Sequence, residues 1–206
     1  SKGQESVNVA SGIKLHIAEA LYDYIKKEGI ALSTAIDCKA ELIGEGEFDY
    51  KDKSLGIGHL LDRMLEISSN TATNMLVDYL GGVGEPINTR LSSLGYAATK
   101  FDRYFSIPGV KGSSPNRSSA YDLAKAMYRI INASKSSEDE LIAVITGALS
   151  RGIEPKGMKG VKFNKTGYNS EVNNNVMVYE NPKGLFIVSA INNTDSRDID
   201  LVKITL

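Results

Sequence analysis

The chain has 206 residues, of which 42% are apolar and 24% are charged, and its formal net charge is −1. This composition is typical of a globular protein and argues against a long disordered tract and a broad electrostatic attraction to nucleic acid. No run of about 18 apolar residues occurs, so no transmembrane helix is predicted in this sequence. Cys38 is the only cysteine, and His16 and His59 are the only histidines. An internal disulfide and the common zinc motifs are therefore excluded, and we expect no metal and no other cofactor.

Helical periodicity dominates the chain up to about residue 155. Residues 11–29 carry apolar side chains at helical spacing, with a basic last turn before Gly29 as the stop signal. Further helices are predicted at 57–67, 71–82, 87–95, 120–134 and 138–152. Residues 30–56 are predicted to be a surface excursion of short extended pieces. Residues 99–119 are predicted to be a loop because prolines and glycines punctuate them.

The period of the apolar residues changes after Gly160. Runs rich in β-branched residues at 161–168, 172–180 and 184–193 are separated by turn signals and predict an antiparallel meander. Residues 195–206 are compatible with a helix or a strand, and Asp195 as an N-cap favours a helix. Helices followed by a meander predict one α+β domain over residues 1–206, with the helical part at about 11–155 and the strands at about 160–193.

A serine and a lysine open the first predicted helix, in the sequence SGIK. Ser11 and Lys14 are three positions apart, so they lie on one face of the helix. A partly desolvated lysine beside a serine hydroxyl can lose its proton and act as a base. The N-terminus of the helix also favours a developing oxyanion. This pattern alone is weak evidence because SxxK occurs by chance in many chains of this length.

Two further short motifs lie later in the chain. Ser68-Ser69-Asn70 interrupts a helical region, although Ser and Asn side chains compete with helix hydrogen bonds. A serine there can pass a proton to a leaving group, and Asn70 can orient a substrate amide. Lys165-Thr166-Gly167 is predicted at the head of a strand. In such a position glycine allows a ligand to approach the backbone, lysine binds a carboxylate and threonine adds a hydroxyl.

SxxK, SxN and KTG, in this order, are the signature of class A β-lactamases and penicillin-binding proteins. The sequence resembles that superfamily, and class A most closely. The similarity extends over LLDRMLEISSNTATNMLVDYLGG, INTRLSSLGYAATKFDRY and NNNVMVYENPKGLFIVSAIN, and it covers nearly the whole chain. It implies an α+β fold of the class A β-lactamase type, in which a mostly helical region packs on a C-terminal antiparallel sheet.

The resemblance also implies a role for each motif residue. Ser11 would be the acylated nucleophile, Lys14 the base that activates it, and Ser68 the proton shuttle to the leaving nitrogen. The implied substrate-binding residues are Asn70, Lys165, Thr166, Gly167 and Tyr168, with the backbone N–H groups of Ser11 and Tyr168 forming the oxyanion hole. Arg151 is either a second partner for the substrate carboxylate or an exposed structural arginine.

The sequence departs from the class A pattern at the loop and at the ends. Phe105 stands where class A enzymes carry the glutamate that activates the deacylating water, and no glutamate occurs from 101 to 124. Asn116 replaces the aspartate that would pair with Arg103, and Ser69 replaces the aspartate of SDN. Ten residues precede Ser11, where the family places a helix and two strands. We therefore expect a sheet truncated at its N-terminal side, with about three strands, or a fragment of a longer chain.

These features favour a serine acyl-transfer hydrolase that forms an acyl-enzyme at Ser11 with β-lactams and hydrolyses it slowly. The alternatives are a DD-peptidase or penicillin-binding protein, and a non-catalytic sensor of β-lactams or peptidoglycan. The expected partner is a β-lactam or a D-Ala-D-Ala-like substrate, without nucleic acid, and the expected state is a monomer. The resemblance implies a periplasmic or extracellular location in a bacterium and a link to antibiotic resistance, although this sequence contains no signal peptide.

Overall fold

A computed structural model describes residues 2–110, 114–136, 139–152, 159–193 and 199–205. The α-helices of these ranges are α1 (Lys14–Glu28), α2 (Ile57–Glu66), α3 (Asn70–Tyr79), α4 (Glu85–Ser93), α5 (Ala120–Ser136) and α6 (Glu140–Arg151). Each lies close to the segment predicted from periodicity. None of these helices combines the length and the apolar character that crossing a membrane requires.

Local signals explain several helix ends. Gly29 ends α1 in the left-handed conformation, with φ of 65°, and its N–H donates to Ile25 O. Asp139 caps α6 through a 3.0 Å hydrogen bond from Leu141 N to its carboxylate. Ser69 caps α3 by accepting a 3.1 Å hydrogen bond from Ala72 N. The Ser-Ser-Asn cluster thus separates α2 from α3 because its side chains take over the hydrogen bonds of a helix start.

The main sheet has four antiparallel strands in sequential order. They are β5 (Val161–Tyr168), β6 (Val172–Asn181), β7 (Gly184–Asn193) and β8 (Ile199–Thr205). Two small antiparallel pairs lie outside it: β1 (Val7–Asn8) with β4 (Arg117–Ser118), and β2 (Ala35–Asp37) with β3 (Ser54–Gly56). The surface excursion at 30–56 therefore contains the β2–β3 pair.

The C-terminal segment differs from the prediction of a helix. Its described part is the strand β8, which pairs along β7 from Phe186↔Thr205 to Asn192↔Ile199. Asp195, the proposed N-cap, lies outside the described residues. The free edge of β7 offers a row of backbone hydrogen-bonding groups, and pairing with it outweighs a single capping signal. The sheet consequently has four strands in the described chain, and not about three.

Two further differences concern the motifs. Ser11 does not lie within α1 but in a short 3₁₀ helix, Ala10–Ile13, that leads into it. Lys165-Thr166-Gly167 lies at the end of β5 and not at its head, because the strand already begins at Val161. Both motifs nevertheless remain adjacent in space, since the 3₁₀ helix packs against β5 and β6.

Helix α1 lies at the centre of the helical part and follows directly on the 3₁₀ helix that packs against the sheet. Its first two turns are almost completely buried, and it packs against α2, α3, α4, α5 and α6. On the other side of the core, α5 and α6 pack on the sheet. Burial on all sides leaves the start of α1 little freedom to move, so this position is rigid enough to hold reacting groups.

Candidate active site

The 3₁₀ helix that carries Ser11 is held by hydrogen bonds from both sides. Gly12 N donates to Val9 O over 2.8 Å, and Asn174 Nδ2 on β6 donates to the same carbonyl over 2.7 Å. Ala10 adopts a positive φ of 39°, and its N–H donates to Asn8 Oδ1 over 3.0 Å. A non-glycine residue in this conformation persists only where its surroundings hold it. Ser11 is therefore presented on a fixed turn.

Gly167 lets strand β5 approach this turn closely. A Cβ atom at residue 167 would lie 2.6 Å from Gly12 N, 2.6 Å from Val9 O and 2.7 Å from Asn174 Nδ2. These separations are shorter than real Cβ contacts allow. The sequence predicted glycine here for the approach of a ligand, and the structure adds the approach of the protein's own backbone.

Two buried lysines meet at the hydroxyl of Ser68. Lys14 Nζ lies 3.1 Å from Ser68 Oγ, and Lys165 Nζ donates to the same oxygen over 3.0 Å. Lys14 Nζ also donates to Ser68 O over 2.6 Å and to Asn70 Oδ1 over 2.9 Å, while Lys165 Nζ donates to Thr166 O over 3.0 Å. The three sequence motifs thus converge at one point, although they are far apart in the chain.

Burial changes the protonation of both lysines. Lys14 is fully buried, and desolvation, assisted by the positive charge of Lys165, holds the pKa of its ammonium well below the usual value, against an opposing effect of Glu47. Desolvation lowers the pKa of Lys165 to about 8. The charge of Lys165 acts on Lys14 in addition to burial, whereas burial alone lowers the pKa of Lys165. Two ammonium groups that share one hydroxyl repel each other, so one of the two lysines is expected to be neutral. Lys14 is consequently the better base, and Lys165 the better cation.

The Ser68-Ser69-Asn70 turn is held by a carboxylate that the sequence analysis did not identify. Glu47 Oε2 accepts hydrogen bonds from Ser69 Oγ and from Thr71 N, each over 2.7 Å. Its other oxygen, Oε1, accepts a 2.9 Å hydrogen bond from Asn70 N. Burial alone would raise the pKa of Glu47, but these hydrogen bonds outweigh it and lower the pKa. No local pattern marks Glu47, because it lies on a predicted surface segment more than twenty residues from the turn.

Phe105 lies over the lysine of the first motif. Lys14 Nζ is 4.6 Å from the centroid of the Phe105 ring, and the ring packs edge-on against Phe101 at 5.8 Å. Asn74 fixes the backbone at this point, since Phe105 N donates to Asn74 Oδ1 over 2.8 Å and Asn74 Nδ2 donates to Phe105 O over 2.9 Å. An apolar ring therefore occupies the space above Lys14.

Asn116 closes the base of the same loop through neutral hydrogen bonds. Its Oδ1 accepts from Asp102 N over 2.9 Å and from Arg103 N over 3.1 Å, and its Nδ2 donates to Arg103 O over 3.0 Å. The loop is thus held by bonds from a side-chain amide to the backbone at the position where the class A pattern has an aspartate.

A cleft of about 300 Å³ opens beside these groups. It is lined by Asn8, Ala10, Ser11, Asn70, Arg103, Tyr104, Phe105, Ser106, Ile107, Val110, Asn116, Tyr168 and Asn169. Ser11 and Tyr168, the two predicted oxyanion-hole residues, both line it, and Tyr168 is 76% exposed. Within the described residues the Ser11 hydroxyl makes no hydrogen bond with Lys14 or Ser68.

Arg151 is not brought to this cleft. Its guanidinium forms ion pairs with Asp62 and Glu66 on α2, the latter at 3.1 Å, and half of its side chain is exposed. The structure therefore places Arg151 at a contact between α6 and α2, which corresponds to the structural alternative considered from the sequence.

Comparison with known proteins places the chain in a family. Residues 1–203 match the beta-lactamase enzyme family. The chain belongs to this family. A comparison with curated protein sequences finds no match. Membership of the beta-lactamase family supports a hydrolase of the serine β-lactamase kind.

Solved β-lactamase structures share the fold. A β-lactamase from Sphaerobacter thermophilus superimposes with a TM-score of 0.75 at 23% identity, covering 93% of this chain and 76% of its own. A class A β-lactamase from Mycobacterium abscessus gives a TM-score of 0.74 at 20% identity, with coverages of 94% and 78%. A β-lactamase from Xanthomonas campestris gives 0.73 at 18% identity, with coverages of 94% and 77%. The α+β fold of the class A β-lactamase type, with a truncated sheet, that was expected from the resemblance is confirmed.

Proposed function

We propose that the protein is acylated by β-lactams at Ser11 and releases the product slowly. The observation that supports this proposal best is the hydrogen-bonded chain Lys14–Ser68–Lys165, which joins the helical part to β5 next to the cleft that Ser11 lines. It combines a lysine of lowered pKa, a bridging hydroxyl and a second lysine that remains largely protonated at neutral pH.

In the acylation step, Ser11 Oγ attacks the β-lactam carbonyl and its proton passes to the neutral amine of Lys14. Ser68 then donates its hydroxyl proton to the β-lactam nitrogen as the C–N bond breaks, and it is reprotonated from Lys14. Lys165 and Thr166 hold the substrate carboxylate, and Lys165 retains one N–H for it after donating to Ser68 Oγ and Thr166 O. The backbone N–H groups of Ser11 and Tyr168 stabilise the oxyanion, a contribution of about 3–4 kcal/mol for each donor.

The slow second step follows from the surroundings of Lys14. Hydrolysis of the ester needs a water molecule and a base that deprotonates it. The Phe105 ring occupies the space above Lys14 and offers no hydrogen-bond acceptor. We do not expect Glu47 to substitute, because three hydrogen bonds from the Ser69–Thr71 segment lower its pKa and weaken it as a base. We therefore expect the acyl-enzyme to persist.

The same acylation chemistry supports a second candidate, a DD-peptidase or penicillin-binding protein that acts on D-Ala-D-Ala-like peptides. The observation in its favour is the loop, which places the Phe105 ring above Lys14 and contains no glutamate from 101 to 124, so that a long-lived penicilloyl-enzyme is expected for it as well. Either function implies action in the periplasm or outside a bacterial cell, where peptidoglycan and β-lactams meet the protein. A non-catalytic sensor would also be acylated but would not turn over a peptide.

Intact-mass analysis after incubation with a fluorescent penicillin tests the proposal. The wild type should gain one penicilloyl group, and Ser11→Ala should gain none. Ser150→Ala is a matched control, since among the described residues its hydroxyl binds only Gly147 O, within its own helix. No adduct on the wild type, or equal adducts on wild type and Ser11→Ala, would refute the assignment of Ser11. Release of D-Ala from a D-Ala-D-Ala peptide would identify a DD-peptidase.

A further inference from the structure

Glu47 forms an unusually dense set of hydrogen bonds with the turn that carries Ser68. It lies on the segment 43–47, outside all three sequence motifs, and its two oxygens accept three hydrogen bonds of 2.7–2.9 Å from Ser69, Asn70 and Thr71. Two of the donors are backbone N–H groups in the first turn of α3, where a helix favours a negative charge. The carboxylate therefore binds the helix start as an anion.

The segment that carries Glu47 is itself fitted against the turn. Gly44 N donates to Thr71 Oγ1 over 2.9 Å, and a Cβ atom at residue 44 would lie only 3.1 Å from Asn70 Cβ. Glu45 N donates to Ser106 O over 2.8 Å, which connects the segment to the loop above Lys14. Glu47 is thus fixed from its backbone as well as through its carboxylate.

The turn needs such support because its first residue has an unfavourable backbone conformation. Ser68 has a positive φ of 61°, although it is not glycine. This conformation presents both Ser68 O and Ser68 Oγ to Lys14 Nζ, at 2.6 and 3.1 Å. A strained residue of this kind persists only when neighbouring contacts hold it. Glu47 supplies those contacts at the three residues that follow Ser68.

The same carboxylate is placed to balance two positive charges. Within the described residues, the charged groups that act on Lys14 are Lys165, from β5, and Glu47. The other neighbours of its ammonium group are the oxygens of Ser68 and Asn70 and the ring of Phe105. Glu47 raises the pKa of Lys14, in opposition to burial and Lys165. Its position therefore matters for the charge of the base as well as for the geometry of the turn.

We propose that Glu47 is a positioning residue for the acylation reaction, which holds Ser68 between Lys14 and Lys165 by clamping the start of α3. This inference rests on the proposed acylation of Ser11. Ser69, the middle residue of the turn, is uncharged where the class A pattern has an aspartate. Glu47 would supply the negative charge in its place. The carboxylate lies on the facing segment, and the N–H groups that it binds belong to Asn70 and Thr71.

The test compares Glu47→Gln with Glu45→Gln, a matched change two residues away at an exposed side chain. Acylation by a fluorescent penicillin is followed by stopped flow from pH 5 to 9, with thermal unfolding in parallel. Glu47→Gln should slow acylation at pH 7 by about 10- to 100-fold, as expected for a displaced catalytic group. Because removal of the anion lowers the pKa of Lys14, the rising limb of the profile should also move to lower pH.

A double variant separates positioning from simple folding. Adding Ser69→Asp to Glu47→Gln returns a carboxylate to the turn, next to the introduced amide and at a position where aspartate is a good N-cap. Acylation should recover at least several-fold relative to the single variant, and the rising limb should return toward that of the wild type. Recovery of stability without recovery of rate and of the pH profile would overturn the proposal.

The other outcomes are equally decisive. If the wild type is acylated and folded Glu47→Gln is acylated at the same rate with the same profile, Glu47 has no positioning role. If acylation is unchanged but release of product slows, Glu47 is instead the deacylation base. If Glu47→Gln does not fold, the comparison passes to Glu47→Asp, which keeps the charge and should retain the pH profile while losing rate. If the wild type itself forms no Ser11 adduct, it is the proposed function that fails.

Discussion

The close approach of β5 to the Ser11 turn offers a test that depends on backbone geometry alone. Substituting Gly167→Ala adds one methyl group at a point where Gly12 N and Val9 O would each lie 2.6 Å from it. Ordinary van der Waals contact begins at 3.4 Å, so the strand and the turn must separate by most of an ångström. Both contacts are with backbone atoms, and no flexible side chain can absorb the change.

The expected loss follows from this displacement. A misplacement of about 1 Å costs roughly 100-fold in rate for groups that must be aligned, so acylation should slow by about that factor. Overpacking of a filled site also lowers the free energy of unfolding by about 1–3 kcal/mol. The rate should therefore fall by more than the loss of folded protein explains.

The assay measures the second-order rate of acylation by a fluorescent penicillin under conditions where thermal unfolding shows the variant to be folded. Gly58→Ala is the matched control. It makes the same change on α2, where the new Cβ would lie at an ordinary 3.4 Å from Leu32 Cβ. Wild-type acylation by folded Gly167→Ala would refute the argument that close packing of β5 positions Ser11.

Three further predictions concern the base, the pH profile and the second step. Lys14→Ala should slow acylation by about 100-fold or more while the protein stays folded; an unchanged rate would show that Lys14 is not the base. The acylation rate should rise with pH as the buried Lys14 loses its proton, at a pH well below that at which an ordinary lysine titrates. It should fall above about pH 8, as Lys165 loses the charge that holds the substrate carboxylate. Stopped-flow measurements should therefore give a bell-shaped profile of rate against pH. With a chromogenic cephalosporin the wild type should release a burst of one equivalent of product and then turn over slowly in the steady state. Phe105→Glu should accelerate the steady-state turnover. Rapid linear turnover by the wild type would contradict the interpretation of Phe105.

Helix positions and motifs were predictable because their signals are local. Gly29 follows the last turn of α1 and needs a positive φ, which glycine adopts without strain, so the helix end is evident from a few residues. The apolar periods of α2 and α5 are also visible in single stretches of sequence. The resemblance to β-lactamases then related three separate motifs to one site, and the family match confirms that resemblance.

The errors of prediction share a physical cause. Residues 195–206 were predicted to favour a helix because Asp195 is a good cap, yet the described part pairs as β8 with a strand edge that no local pattern reveals. The role of Glu47 was not predicted for the same reason, because its hydrogen-bond partners lie on the Ser69–Thr71 segment and not beside it in the sequence. The role of Arg151 could not be decided either, until its ion pairs with α2 were seen.

The amino-acid sequence by itself determined the α+β class, the order of the motifs and the presence of Phe105 where class A enzymes carry a glutamate, because each depends on residue identity and short-range periodicity. Only the tertiary structure decided the charge of the site. Lys14 and Lys165 are ordinary lysines in the sequence, and their lowered pKa values arise when folding removes them from water and brings them to one hydroxyl, with Glu47 nearby as the opposing charge. Desolvation and Coulomb interactions depend on distances between residues that are remote in the chain, and folding alone sets those distances.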